Sequence, residues 1–262
     1  MLDNADHVCV VLVGTRNPLN IGAAARAMSN FGFLRLRLVN PYDVAFREAR
    51  SAVGPAADLL ARAEEHKSVA DAVADCTLVV GTTAVRHREL HHPLRRLETG
   101  ARLIRNKLVS GRVALLFGTE KTGLSNDDLS HCHWLMHIPT REQHISMNLG
   151  QAVAVCLYEL VRDPKRARVA AKVKKENRAT AREIERISTE LLEALHLSGY
   201  VNPIAVSSTE ERVRRMVRRL DLSSRDAELW LGMLRQILWR IRTGAGNKPN
   251  EAMNQEPRQK RK

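Results

Sequence analysis

The chain has 262 residues, 44% of them hydrophobic, so it can bury a sizeable core and is not disordered as a whole. Its 42 Lys and Arg outnumber 29 Asp and Glu, and a formal net charge of +13 indicates an acidic partner such as a nucleic acid. No apolar run approaches the roughly 18 residues of a membrane span, and the four cysteines form no CxxC pair, so we expect a soluble, cytoplasmic protein with reduced thiols and no metal site.

Five short β-branched runs in the first 161 residues have the composition of buried strands, and alanine-rich stretches with helical spacing lie between them. This alternation predicts an α/β domain whose mainly parallel sheet is covered by helices on both faces. The predicted strands are Val8–Val13, Leu34–Val39, Thr77–Val80, Val113–Phe117 and Leu135–Ile138. The predicted helices are Ile21–Phe31, Ser68–Asp75, Gly100–Leu108 and Asn148–Val161.

The charge is distributed unevenly along the chain. Residues 1–161 carry 18 basic and 16 acidic side chains, a net +2, whereas residues 162–262 carry 24 and 13, a net +11. We therefore divide the chain into a domain over 1–161, a basic linker over 162–180, a helical module over 181–243 and a disordered basic tail over 244–262. The module is small enough to need a surface to dock on. Its predicted helices are Ala181–Leu195, Glu210–Leu220 and Asp226–Ile241.

The basic extension is the part of the chain that we expect to hold a polyanion. On a helix, spacings of three and four join Arg212, Arg215 and Arg219 in one stripe, and Arg214 and Arg218 in another. We expect these side chains to contact phosphates; the alternative is a solvated helix surface. The linker residues with the same expected role are Lys172, Lys174 and Lys175.

The first of several polar loops is Gly14–Arg26, GTRNPLNIGAAAR, which follows a predicted strand, where open α/β sheets bind ligands. Asn20 can cap a helix that begins at Ile21. Arg26 lies among small apolar residues, where a guanidinium requires a phosphate or carboxylate, which belongs either to a ligand or to a structural acid.

The second loop is Gly118–Ser125, which reads GTEKTGLS and lacks the GxxxxGK[ST] pattern of a phosphate loop. Glu120 would repel a triphosphate, so the loop suits a small neutral or cationic ligand. Glu120 can accept hydrogen bonds or orient Arg26. A plain tight turn is the alternative.

The third loop, IPTREQHISMNLG, runs from Ile138 to Gly150, and both Ser146 and Asn148 are candidate caps for the helix that follows. A fourth and shorter loop, Gly81–Arg88, can line the same crevice. It carries Thr82, Thr83 and Arg86.

The segments NIGAAAR, FGTEKTGLS and ISMNLGQAVAVCLYE resemble, in this order and at this spacing, the three sequence motifs of the SpoU branch of the SPOUT RNA methyltransferases. The resemblance covers essentially all of residues 1–161. In addition, GTTAVRHREL and the basic extension, with LLEALHLSGYVNP and ERVRRMVRRL, are similar to the bacterial tRNA 2′-O-methyltransferases that act on nucleotide 32 of the anticodon loop.

This resemblance implies S-adenosylmethionine as methyl donor, a ribose 2′-hydroxyl of tRNA as acceptor, a homodimer, and a trefoil knot in the carboxyl part of the domain. Five residues match the positions of the family's catalytic site: Asn20, Arg26, Glu120, Ser146 and Asn148. The implied donor-binding residues are Thr82, Thr83, Ala84, Gly118, Ile138, Ile145, Ser146 and Met147. Met147 stands where leucine is usual, and it offers a similar apolar volume.

Three alternatives stay open at this point. Arg26 is either a general base or a phosphate clamp, and the clamp is favoured because arginine side chains hold their proton in proteins. The RNA substrate is either tRNA or ribosomal RNA. The chain is either an enzyme or a catalytically silent RNA-binding scaffold, and the joint presence of all five motif residues favours the enzyme.

Overall fold

The computed structural model describes residues 4–42, 56–84, 91–162, 177–201 and 206–244. Most of the predicted linker and all but the first residue of the predicted tail lie outside these ranges, as do Arg86 and the linker residues Lys172, Lys174 and Lys175. The described residues contain seven strands: β1 Val8–Val13, β2 Arg35–Val39, β3 Glu64–His66, β4 Leu78–Thr82, β5 Leu94–Arg96, β6 Val113–Phe117 and β7 Trp134–His137.

The strands form a single sheet in the order β3-β2-β1-β6-β4-β7-β5, and every pair of neighbours is parallel. The described helices are α1 Pro18–Phe31, α2 Ala57–Ala61, α3 Val69–Ala72, α4 Leu97–Lys107, α5 Asn126–Ser130, α6 Leu149–Val161, α7 Ala181–Leu197, α8 Val206–Arg219 and α9 Ser224–Gly244. None of these helices combines the length and the apolar composition that crossing a bilayer requires. The predicted α/β class with a parallel sheet and a helical extension is confirmed.

Strand β1 shows why the sheet is covered on both faces. All six of its residues are buried. Val8, Val10 and Leu12 belong to one core cluster, and Cys9 and Val11 belong to the cluster on the opposite face. Successive side chains of a strand point to opposite faces, so an uninterrupted apolar run can only be accommodated between two layers of helices.

The two strands that the sequence analysis did not predict, β3 and β5, are the edges of the sheet. Each has three residues, most of them charged, EEH and LRR. Short charged strands are a common protection of sheet edges against further pairing. They carry no apolar pattern, which is why the periodicity did not reveal them.

The helical module has its own core and also docks on the sheet domain. Ile187, Val217 and Leu231 are buried in a cluster that α7, α8 and α9 share. The amide of Ala181 donates to the Cys76 carbonyl at 2.7 Å, and the Ala181 side chain joins a core cluster of the sheet domain. The expected docking of the module on the body is therefore present.

A buried arginine fastens α8 to the domain. Arg218 is 1% exposed; it donates to the Ser130 carbonyl at 3.1 Å and to the Glu185 carboxylate at 2.8 Å. Burial raises the pKa of Glu185, but the hydrogen bond from His131 and the charges of Arg218 and Arg214 outweigh it and leave that pKa below its ordinary value. The carboxylate is thus held ionised against its cationic partners.

The expectation of a phosphate contact is therefore wrong for Arg214 and Arg218. Arg218 is buried, and Arg214 donates to Asp127 at 2.8 Å and to the Ser130 hydroxyl at 2.9 Å. The predicted division into two stripes is correct, but the stripe of Arg214 and Arg218 faces acids and carbonyls of the protein itself. An arginine pattern alone does not distinguish an external phosphate from an internal carboxylate.

Candidate functional site

A cavity of about 380 Å³ lies at the carboxyl ends of β4, β6 and β7. The three strands are neighbours in a parallel sheet, so the loops that follow them meet at one edge. Gly118–Leu124 and the segment between β7 and α6 contribute most of the lining. The volume falls in the range of small-molecule sites, roughly 300 to 1,000 Å³.

The structure brings together at this cavity all the residues that the resemblance assigns to donor binding. They are Thr82, Thr83, Ala84, Gly118, Ile138, Ile145, Ser146 and Met147. The Thr82 hydroxyl donates to the Leu116 carbonyl at 2.8 Å, so it can offer a ligand only its acceptor lone pairs. The amide of Thr83 donates to the Met136 carbonyl at 3.0 Å and fixes the chain where β4 ends. The role of these residues toward a ligand stays a prediction.

The loop after β6 is closed on itself. Thr119 and Gly123 exchange backbone hydrogen bonds of 3.2 and 2.9 Å, and Gly123 has a φ of +71°, a conformation that favours glycine. A Cβ added at Gly118 would lie 2.1 Å from the Gly123 carbonyl carbon. No side chain fits at position 118 unless the loop moves. The segment is both a tight turn and a wall of the cavity.

A chain of side-chain hydrogen bonds joins the three motif segments. The Asn20 amide nitrogen donates to the Glu120 carboxylate at 2.9 Å, and the Asn148 amide nitrogen donates to the Asn20 carbonyl oxygen at 2.8 Å. Asn20 is buried, whereas Glu120 is exposed at the cavity. Each asparagine amide is oriented by its neighbours, and the free carboxylate oxygen of Glu120 remains available to a ligand.

The caps differ in part from those predicted. Asn17 caps α1, since its side chain accepts from the Leu19 amide at 2.9 Å, and Pro18 occupies the first turn. The expectation that Asn20 caps this helix is wrong, because the helix begins earlier and Asn20 is the third residue in it. Asn148 does cap α6 and accepts from Gln151 at 3.3 Å.

Arg26 is not among the residues that line the cavity. It is exposed, and no hydrogen bond or ion pair joins it to any other residue in the described ranges. It follows Asn20 by six residues, or about 600° of helix rotation, so the two side chains leave α1 in different directions. Glu120 therefore contacts Asn20 and does not orient Arg26. The sequence allowed a structural acid as the partner of Arg26, but no acid among the described residues forms an ion pair with it.

The cavity combines apolar walls with a balanced pair of charges. Ile138, Ile145 and Met147 supply apolar surface, and the charged side chains in the lining are Glu120 and Lys121. A carboxylate beside an apolar wall suits a cationic organic ligand. Lys121 in turn can attract a carboxylate on the same ligand.

Several lining residues were not predicted individually: Thr140, Leu124, Leu129, Leu149 and Ala152. Leu124, Leu149 and Ala152 lie within the motif segments and Thr140 lies within the third polar loop, so membership of those segments was the available signal. Leu129, in α5, lies outside them. Among the residues that the structure describes, no group of three or more His, Cys, Asp or Glu could hold a metal ion.

Comparison with known proteins identifies the family. The model of the SpoU rRNA methylase family matches residues 7–158. The tRNA (cytidine/uridine-2′-O-)-methyltransferase TrmJ of Sodalis glossinidius is 34% identical over 241 residues, which cover 88% of this chain and 91% of that protein. The tRNA (cytidine/uridine/adenosine-2′-O-)-methyltransferase TrmJ of Pseudomonas aeruginosa is 32% identical over 243 residues, with 87% and 93% covered.

A solved structure agrees with this similarity. TrmJ from Z. mobilis ZM4 has 32% sequence identity and a TM-score of 0.75, and the match covers 87% of this chain and 98% of that one. The similarity thus extends past the sheet domain into the helical module.

Proposed function

This chain is an enzyme of the SpoU methylase family, and on that premise we propose that it transfers a methyl group from S-adenosylmethionine to a ribose 2′-hydroxyl of tRNA, at nucleotide 32 of the anticodon loop. The observation that carries the proposal is the hydrogen-bond chain Glu120–Asn20–Asn148, which joins the three motifs beside the cavity. The relatives' names support tRNA and the 2′-oxygen. Nucleotide 32 rests on the sequence resemblance.

The lining of the cavity fits the proposed donor. S-adenosylmethionine supplies an electrophilic methyl group on a sulfonium. Ile138, Ile145 and Met147 would pack against its apolar parts, Glu120 is a carboxylate for its positive charge, and Lys121 can meet its own carboxylate. At Gly118 only the backbone can line the cavity, because a Cβ there would clash with Gly123.

The protein's contribution to the chemistry is alignment and charge. Holding donor and hydroxyl in line can supply about 7 to 11 kcal/mol in favourable cases. Arg26 would clamp the phosphate next to the target ribose and stabilise the developing oxyanion. Ser146, a cavity residue, would contact either reactant through its hydroxyl.

The same proposal includes a homodimer. Arg26 and Leu19 are both exposed, share one face of α1 by helix rotation, and do not line the cavity of their own chain. In a two-fold dimer, Arg26 of one subunit can reach the cavity of the other. The trefoil knot, which rests on the resemblance, and a cytoplasmic location, which rests on the cysteine pattern and the lack of a long apolar run, belong to this proposal as well.

Nucleoside mass spectrometry tests the function. Digested tRNA from cells that lack the gene should lose one 2′-O-methylated pyrimidine at nucleotide 32, and the purified protein with S-adenosylmethionine should restore it in a transcript. Methyl incorporation only into ribosomal RNA would move the substrate to the alternative class. Tight RNA binding with no incorporation into either RNA would support a silent scaffold.

The two roles of Asn148 can be separated by one substitution. Asn148→Asp keeps the oxygen that caps α6 but replaces the amide that donates to Asn20. Asn20 would then lie between the carboxylates of Asp at position 148 and Glu120. Its carbonyl oxygen would lose the donor at position 148, so the hydrogen-bond chain from position 148 to Glu120 is interrupted. We expect a fall of about tenfold or more in methyl transfer with little change in melting temperature.

Asn17→Asp is the matched control, because Asn17 caps α1 in the same way and belongs to no part of the hydrogen-bond chain. It should retain activity. If Asn148→Asp lost stability and its loss of activity followed from that unfolding, the two roles would not be separable. Asn148 would then be a helix cap only.

A further inference from the structure

A second cleft, separate from the donor cavity, lies between α5 and α8. Its volume is about 690 Å³, and Arg212, Arg215 and Arg219 line one side of it. His91 and Asn126 line the other side and belong to the sheet domain. The cleft therefore spans the junction between the domain and the helical module.

The arginines in this cleft differ from the other two arginines of α8 in their partners. Arg214 and Arg218 face the protein and are matched by acids and carbonyls. Arg212 and Arg219 are exposed, and neither has a hydrogen bond or ion pair to another residue within the described ranges. Within the described ranges, one face of α8 therefore has arginines that pair with acids and carbonyls of the protein, and the other face presents two unpaired arginines to the cleft.

The positive charge in the cleft is only partly compensated by the protein. Glu211 also lines the cleft, and it accepts from Arg215 at 3.4 Å. Arg215 follows Arg212 by three residues and precedes Arg219 by four, so the three guanidiniums repel one another along the helix. One carboxylate against three guanidiniums leaves a surplus that an external anion can neutralise.

The positive charge of the cleft also affects the pKa of His92, which follows the cleft residue His91 in the chain. Burial, and then the charges of Arg215, His91 and Arg219, lower the pKa of His92 to about 4. Arg215 and Arg219, whose charges contribute to this shift, line the cleft, so they disfavour a further cation beside them.

The cleft adjoins the donor cavity through α5. Leu124 lines the cavity, Ser125 caps α5, and Asn126 lines the cleft. Since consecutive Cα atoms are about 3.8 Å apart, a polymer that lies in the cleft is held close to the loop that forms the cavity wall.

We propose that this cleft is a subsite for the phosphodiester backbone of the RNA substrate, with Arg212 and Arg219 as its principal phosphate ligands. This inference rests on the proposed function for the identity of the polymer. Asn126 and His91 would add hydrogen bonds from the domain side, so that bound RNA bridges domain and module. The site is assigned to backbone and not to bases, because the described residues that line it include three arginines and no Phe, Tyr or Trp.

The test compares two double variants of equal charge change by equilibrium binding of a tRNA transcript at several salt concentrations. Arg212→Gln with Arg219→Gln removes the two proposed ligands. Arg225→Gln with Arg240→Gln removes two exposed arginines of α9 outside the cleft. The first variant should weaken tRNA binding at least tenfold. It should also lower the slope of log affinity against log salt by roughly 1.4 to 1.8, at about 0.7 to 0.9 for each lost contact.

Two results would overturn the subsite. One is wild-type affinity and slope in the cleft variant, and the other is an equal loss in the control variant, which would show a diffuse charge effect. Calorimetric binding of S-adenosylmethionine should be the same in all three proteins, which excludes misfolding as the cause. Failure of the proposed function is distinguishable, since the wild-type protein itself would then fail to methylate the transcript.

Discussion

Arg26→Ala is expected to reduce methyl transfer at least about tenfold, or roughly 1.4 kcal/mol of transition-state stabilisation, and to leave the melting temperature unchanged. The stability should not change because Arg26 is exposed and has no ion pair or hydrogen bond in the described part of the chain. Single-turnover rates at saturating donor and tRNA would measure the chemical step, and thermal unfolding would measure stability.

The matched control is Arg62→Ala, which removes an exposed arginine of the same domain at the end of α2. It should be neutral in both assays. A large fall in melting temperature for Arg26→Ala would instead make this residue structural. Loss of activity alone does not separate a phosphate clamp from a general base. Arg26→Lys helps here, because it retains the charge and loses the planar fork that binds phosphate.

A mixed dimer tests whether Arg26 serves the partner's cavity. Gly118→Ala should abolish donor binding, since the new Cβ would lie 2.1 Å from the carbonyl carbon of Gly123. A dimer of one Arg26→Ala subunit and one Gly118→Ala subunit contains one intact cavity, which faces the one intact arginine. Each parent homodimer should be nearly inactive, and the mixed dimer should recover up to about half of the wild-type activity. Verified mixed dimers without activity would mean that each subunit's site is self-contained.

Arg218→Ala is expected to cost about 3 to 5 kcal/mol of stability, because removing one partner of a buried ion pair leaves polar groups unmatched. The groups left behind are the Ser130 carbonyl and the Glu185 carboxylate. Chemical denaturation of Arg218→Ala, Glu185→Ala and the double variant would give the coupling energy directly. Arg212→Ala, an exposed change on the same helix, should stay within about 0.5 kcal/mol of the wild type.

An effect of Arg218→Ala on RNA binding and not on stability would support the phosphate contact that the sequence suggested for Arg218. If Arg218→Ala kept its stability and lost tRNA affinity, the side chain would face RNA and not the protein. The structure places it 1% exposed, so this outcome would contradict the docking of α8 itself.

Much of the fold could be predicted because its central strands are apolar throughout. The runs VCVVLV and VALLF predicted β1 and β6 with their observed ends. Helix α5 could not be predicted in the same way, because NDDLS has too few residues for a helical period. Pro18 indicated the start of α1, since proline is common in the first turn of a helix. The prediction instead followed the apolar spacing and placed the start at Ile21.

The candidate site was predictable to a similar degree. Parallel strands bring the ends of β4, β6 and β7 together, so loops rich in glycine and hydroxyl groups had to meet. The hydrogen-bond partners of the site residues could not be predicted from the sequence around each residue. That Asn20 would bind Glu120 and Asn148, and that Arg26 would lie outside the cavity lining, depends on where α1 begins and on how α1 packs against α6, which only the folded chain determines.

The hydrogen-bond chain among the motifs also bears on the order of folding. Its bonds join residues 100 and 128 positions apart, and β1 at the centre of the sheet pairs with β6 from far along the chain. Such contacts give a high contact order and slow folding, because large loops must close before the pairing stabilises them. During synthesis, at about 5 to 20 residues per second, β1 must wait for several seconds or longer before β6 exists. The catalytic site can therefore form only after the third motif has emerged from the ribosome. Until then the strands of the amino-terminal half are unpaired and need protection from aggregation.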